Sequence, residues 1–208
     1  MVPKGWHYLC DIDMLANIPD YNQRISAGKS VEEKILNALR QRGYKIENPS
    51  EQEDKYEKID GWWIGKNGGR FPLQVKFRES GDDILFELVK DMDKGISGRD
   101  PISKSVIYLV VNRTGDARMY LTKPIKKKAQ QIVAIIYDEL KKNPSKTLWS
   151  GDKWEARIQY DRAHGQRKLV AYFHPALFDA LVEWKLNLHE EHPHGQFDPR
   201  IFGPTSKI

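Results

Sequence analysis

Cysteine is nearly absent: Cys10 is the only one in 208 residues. A single thiol excludes a disulfide framework and a cysteine-built zinc site. No apolar run approaches the roughly 20 residues of a membrane-spanning helix. The opening Met1-Val2-Pro3-Lys4-Gly5-Trp6 lacks the apolar core of a secretory signal. These absences lead to the expectation of a soluble, cytoplasmic protein with no membrane partner. Repeats and low-complexity segments are missing too. Charge is not one-sided, with 34 Lys and Arg against 29 Asp and Glu, which argues against a disordered polyelectrolyte. Hydrophobic residues make up 39%, enough for a core, and the length suits one domain. The net charge of +5 is mildly basic and consistent with a polyanionic partner.

Two apolar segments form the centre of the chain. Ile59, Trp62, Trp63 and Ile64 favour a strand, and so do Leu73, Val75 and Phe77. Between them Lys66-Asn67-Gly68-Gly69 has the composition of a hairpin turn. Before the hairpin, residues 1–28 read as irregular or as a short helix packed on the body. Ser30 with Glu33 reads as a capping box that opens a helix. Ile35, Leu36 and Leu39 form that helix's apolar stripe, Gly43 ends it, and Tyr44-Lys45-Ile46 begins a strand. Glu51 to Lys58 is a charged connection.

After the hairpin, Ile84 to Val89 reads as a strand, and Lys90 to Pro101 as a long polar loop. Val106 to Val111 is apolar at every position, as in a central strand covered on both faces. A turn at Thr114-Gly115-Asp116 leads into Arg118 to Leu121. A helix over Ile125 to Lys142 follows Pro124, with Ile132, Ile135, Ile136 and Leu140 as its buried stripe. Trp154 to Tyr160 and Leu169 to Phe173 read as a hairpin, and Pro175 to about His189 as a last helix. The fold class expected is α/β, a central mixed β-sheet flanked by helices, with an additional C-terminal β-hairpin and helix. The whole chain reads as one domain, its core at about 30–143 and a C-terminal extension at about 150–208.

Side chains on a strand alternate between faces, so Gln74 and Lys76 share one face while Leu73, Val75 and Phe77 take the other. With Asp60 on the neighbouring strand, a carboxylate, an amide and an ammonium converge on one patch. Glu32 lies on the core side of the first helix, where a carboxylate is costly unless something binds it. Hard oxygen ligands of this kind suit a divalent cation, which offsets charge on a phosphodiester and acidifies a bound water. Lys76 can stabilise charge developing on the phosphoryl oxygens. The ordinary alternatives are an edge-strand lysine at 76 and a turn aspartate at 60.

Glutamate on a helix, aspartate at the start of a strand and Gln-x-Lys on the next strand resemble the PD-(D/E)XK superfamily, the restriction-endonuclease-like fold. Glu32 and its distance to Gly43 also resemble the opening helix of the Holliday-junction resolvases in that superfamily. The resemblance covers roughly residues 30–112. It implies Mg²⁺-dependent cleavage of DNA phosphodiesters, with Mn²⁺ as a substitute. By carry-over, Asp60 and Gln74 are metal ligands with the Val75 carbonyl, Lys76 is the catalytic lysine and Glu32 the helix carboxylate. Two positions depart from the pattern: Ile59 stands where proline is usual, and Gln74 where an acid is usual, which removes one negative charge. Many nucleases of this fold pair to cut both strands, so the resemblance admits a homodimer. A nucleic-acid-binding module that keeps the fold without catalysis is the alternative.

Residues 121–150 carry seven lysines against two acids. Lys123, Lys126, Lys127 and Lys128 crowd the start of a helix, where positive charge opposes the macrodipole. Together with Arg78 they form a candidate DNA-phosphate surface. A solvated helix face, or a face that docks an acidic protein, would look the same in sequence. His189, His192 and His194 lie close together beside Glu190 and Glu191, as in a metal site or an exposed helix end. Of Trp62 and Trp63, opposite in facing, one is expected in the core and the other either packs or stacks on a base.

Overall fold

The computed structural model describes residues 21–78, 81–162, 164–178 and 184–188, with the backbone alone at 21–27 and 184–185. The expectations for residues 1–20 and for His189, His192 and His194 lie outside the described residues. The fold is mixed α/β, with two sheets and three helices among the described residues. No helix there is long and apolar enough to cross a membrane.

Helix α1 runs Tyr21–Gln41, nine residues earlier than the capping box at Ser30 suggested. Ser30 is therefore inside the helix and caps nothing. Between Tyr21 and Ser30 no proline interrupts the helix, so extending it costs little. Glu33 instead pairs with Arg40 at 2.9 Å. Val31, Ile35, Leu36, Ala38 and Leu39 form the buried stripe of α1. The helix ends as expected at Gly43, whose φ of +84° is open to glycine at low cost.

Strands β1 (Ile46–Glu47), β2 (Gly61–Ile64) and β3 (Arg70–Arg78) follow, with a π-helical turn at Glu53–Glu57 between the first two. The β2–β3 hairpin forms with Gly61 opposite Leu73. Strand β4 (Ile84–Asp91) comes next, then the two-residue β5 (Ile96–Ser97) and one helical turn, α2 (Arg99–Ile102). Strands β6 (Ile107–Asn112) and β7 (Asp116–Leu121) lead into α3 (Thr122–Lys142). Then β8 (Leu148–Gly151), β9 (Trp154–Asp161) and β10 (Gln166–Phe173) form a meander. The helix expected over Pro175 to His189 is not found among the described residues of that range. In its place are a 3₁₀ turn at Pro175–Leu177 and strand β11 (Trp184–Asn187). Leu186 and Leu188, two apart, are both buried in the core under α1, a spacing of strand rather than helix.

The first sheet has the order β1-β2-β3-β6-β7-β11, with β3 and β6 parallel and the other pairs antiparallel. The second is antiparallel, β5-β4-β10-β9-β8. Thus β4 does not join the central sheet; it pairs with β10 of the C-terminal hairpin, Phe86 opposite Ala171. Strand β6 divides the core. Ile107, Leu109 and Val111 pack with α1, while Tyr108 and Val110 pack with α3 and the second sheet. Each such aliphatic side chain contributes roughly 1.5–3 kcal/mol by leaving water. On α3, Ile132 and Ile136 are buried as expected, but Ile135 is 49% exposed and lies outside the stripe. Trp63 is in the core, and Trp62 lies half-buried under the Arg70 guanidinium at 4.4 Å.

Candidate active site

Strand β3 lies between β2 and β6 in the sheet order, but at Lys76 only β6 is paired with it, opposite Val110. Pairing of β2 with β3 stops at Gly61 opposite Leu73. Beyond that point the Asp60 carboxylate replaces a partner strand: its Oδ2 accepts from the Val75 N–H at 2.8 Å. In a strand the N–H and C=O of one residue point the same way, so the Val75 carbonyl is turned to the same side. The Asp60 backbone is fixed by its own N–H to the Leu73 carbonyl, 2.8 Å. Just upstream, Lys58 holds a left-handed φ of 59°. For a non-glycine this costs about 1 kcal/mol and is kept only where the surroundings demand it.

A cleft of about 240 Å³ opens here, lined among others by Lys29, Glu32, Leu36, Asp54 and Asp60. Burial and the nearby Asp60 raise the Glu32 carboxyl to about 7, against the opposing Lys76 and Arg99 charges. Burial likewise raises Asp60, opposed by Lys76 and Arg99. Among the described residues Glu32 makes no hydrogen bond or ion pair. Two neighbouring carboxylates, both raised by burial in a half-buried cleft, are incompletely neutralised, which is the chemistry of a cation site. The donor set therefore fits a hard divalent cation at Glu32 and Asp60, with the Val75 carbonyl on the same side. Among the described residues no group of three or more acidic, His or Cys side chains is arranged to hold a metal.

Gln74 behaves differently. It is fully buried, and its Nε2 donates to Asp100 Oδ1 at 3.0 Å. Its Oε1 faces Ser105 Oγ at 3.4 Å. The amide oxygen is thus engaged in a buried network. That network continues through Ser103 and Thr122, whose hydroxyls lie 3.0 and 3.3 Å from Ser105 Oγ. Lys126, half-buried at the start of α3, donates to the Ser103 carbonyl. Lys123 and Lys127 remain exposed and Lys128 is half-exposed. Arg78, at the far end of β3, lies over the Tyr172 ring.

Sequence reasoning offered Arg99 only as an extension of the phosphate-contacting surface and did not bring it or Asp100 to this site. Arg99 Nη2 lies 3.4 Å from Asp60 Oδ1, and its Nε is buried without a partner. Asp100 is fully buried, accepting from the Glu87 N–H at 2.7 Å as well as from Gln74. Burial raises its carboxyl, with Lys76 opposing. Gly98 makes this placement attainable. A Cβ there would lie 2.0 Å from the Glu87 carbonyl oxygen, so any side chain would push α2 off β4. The sequence signal was Gly98-Arg99-Asp100-Pro101, a charged pair between a glycine and a proline.

The raised Glu32 carboxyl sets a pH dependence. Unfolded, Glu32 ionises near 4.5; folded, near 7. Between those values the folded state holds a proton that the unfolded state has released, so stability falls as pH rises through the window and stays lowered above it. The loss is on the order of 3 kcal/mol. In thermal melts with chelator, wild type is expected to lose several degrees relative to Glu32→Gln between pH 5 and pH 8 (about 2–4 °C per kcal/mol at this size). Parallel curves for the two proteins would show that Glu32 does not carry the shift.

Against family models, curated proteins and solved structures the chain has no match, so the reading of this site rests on its own residues.

Proposed function

We propose that the chain is a divalent-metal-dependent DNA endonuclease of the restriction-endonuclease-like, PD-(D/E)XK type. The observation that carries this reading is the pairing of Glu32 and Asp60 in one cleft, both raised by burial, with Lys76 close enough to oppose both shifts. A Mg²⁺ or Mn²⁺ ion held by Glu32, Asp60 and the Val75 carbonyl would supply charge neutralisation at the phosphate and a more acidic water. Lys76 stabilises the negative charge that builds on the phosphoryl oxygens as water attacks phosphorus. One P–O ester bond breaks, and the departing oxygen takes up a proton. Arg99, beside Asp60 and 38% exposed, is placed to hold a non-bridging oxygen with its planar donors. Lys123, Lys127 and Lys128 would contact flanking phosphates. The setting is cytoplasmic, with a homodimer where both strands are cut.

The Gln74 oxygen, engaged by Ser105, favours a second reading, a nucleic-acid-binding module that keeps the architecture without cleavage. Nicking of supercoiled plasmid with Mg²⁺ or Mn²⁺, with and without chelator, separates the two. Cleavage that requires metal and fails in Asp60 and Lys76 variants supports the nuclease. Salt-sensitive DNA binding with no cleavage supports the module.

A further inference from the structure

On the open face of the second sheet, Tyr172 of β10 lies under two arginines. The Arg157 guanidinium is 4.6 Å from the ring centroid and that of Arg78 is 5.6 Å away. Arg157 Nη2 donates to the Tyr172 hydroxyl at 2.7 Å. That hydroxyl donates in turn to Gln159 at 2.8 Å, whose amide, oriented to satisfy both neighbours, also accepts from Arg157 Nε at 3.0 Å. Arg78 Nε is buried without a partner. Among the described residues neither arginine has a carboxylate within 4.0 Å. Glu155 stands opposite Tyr172 in the sheet, exposed and paired with neither. The neighbouring Lys168, by contrast, is neutralised by Asp161 at 2.7 Å.

Two guanidinium groups sharing one ring repel each other, and cation–π attraction returns only about 0.5–1 kcal/mol each at an exposed site. The arrangement lacks a negative charge that a planar, bidentate donor pair would hold well. The place is informative as well. Arg78 follows Lys76 by two residues on the same face of β3, about 6.6 Å along the strand.

We propose that Arg78, Arg157 and Tyr172 form a clamp for the phosphodiester backbone of DNA, next to the phosphate held at Lys76. The clamp rests on the nuclease reading for the identity of its polyanion. It extends the substrate path from the first sheet onto the second, and it gives the C-terminal hairpin a task in binding.

The test is fluorescence anisotropy of the full chain with a short labelled DNA duplex and the matching single strand, in chelator, across a salt series. Arg157 is exposed, so its variants are expected to melt like wild type. Arg157→Ala should weaken binding about 10-fold at low salt and flatten the slope of log K against log salt by about one. Arg157→Glu should weaken it further, while Arg157→Lys should keep the slope and lose part of the affinity. Wild-type affinity and slope in both Arg157→Ala and Arg157→Glu would overturn the clamp, as would a wild type that binds neither DNA. These outcomes are independent of cleavage. Arg157-dependent binding without metal-dependent nicking keeps the clamp and removes the nuclease, and nicking with Arg157-independent binding does the reverse.

Discussion

Asp60→Asn is expected to lose at least about 10³-fold in metal-dependent plasmid nicking, roughly 4 kcal/mol of transition-state stabilisation, while melting no lower than wild type in chelator. Asparagine keeps an oxygen for the Val75 N–H, so the 2.8 Å bond that positions β3 survives. It removes the charge. In the free protein that charge is a burden, because desolvation raises the Asp60 carboxyl and Glu32 stands beside it. A group that lowers stability fits a functional purpose better than a structural one. Lys76→Met belongs in the same experiment, with a loss of about 10²–10³-fold. Nicking within about 10-fold of wild type in Asp60→Asn would place the chemistry elsewhere. A large drop in melting temperature would reduce Asp60 to a scaffold residue.

What could be read in advance follows from how local each signal is. The β2–β3 hairpin was legible because Asn67-Gly68 demands a turn, and Gly68 does take φ +77°. Strand β6 was legible because a run apolar at every position needs cover on both faces, which α1 on one side and α3 with the second sheet on the other provide. The pairing of β4 with β10 and of β11 with β7 was not legible. These contacts join residues far apart in sequence, and no local periodicity encodes a partner. At Trp184–Asn187 the expected helix gives way to a strand for that reason. The Ser30 box misled differently: a capping motif marks a start only when what precedes it cannot be helical.

The site divides along the same line. Glu32, Asp60 and Lys76 lie on elements recognisable from sequence, and the structure brings the two carboxylates to one cleft with the Lys76 charge near enough to act on both. Arg99, Asp100 and Ser105 arrive through the chain between β4 and β6, where Gly98 lets α2 sit against the Glu87 carbonyl. The consequence reaches Gln74, whose amide is oriented by Asp100 rather than by the cleft.

Gln74 and Asp100 therefore read as an exchanged pair, and restoring an acid at 74 is expected to harm the protein. In Gln74→Glu a carboxylate replaces an amide whose Nε2 lies 3.0 Å from Asp100 Oδ1, with both side chains buried. Two carboxylates at that separation cannot both ionise, and one must hold a proton at neutral pH. The expected cost is about 3–5 kcal/mol at pH 8, some 10 °C in melting temperature, shrinking towards pH 5 as the shared proton becomes easier to hold. Asp100→Asn alone is milder, about 1 kcal/mol: the amide oxygen it introduces still accepts from the Glu87 N–H, and Gln74 can turn its own oxygen to the new amide N–H. The double variant Gln74→Glu/Asp100→Asn re-creates an acid–amide pair with the charge on β3 instead of α2. It should regain most of the loss, a coupling of about 2–3 kcal/mol in the double-mutant cycle. If Gln74→Glu melts like wild type, or the double variant like the sum of the singles, the pair is not exchanged. If the double variant also cleaves plasmid faster than wild type, the missing charge at 74 limits the reaction, and Asp100 is what keeps glutamate from that position.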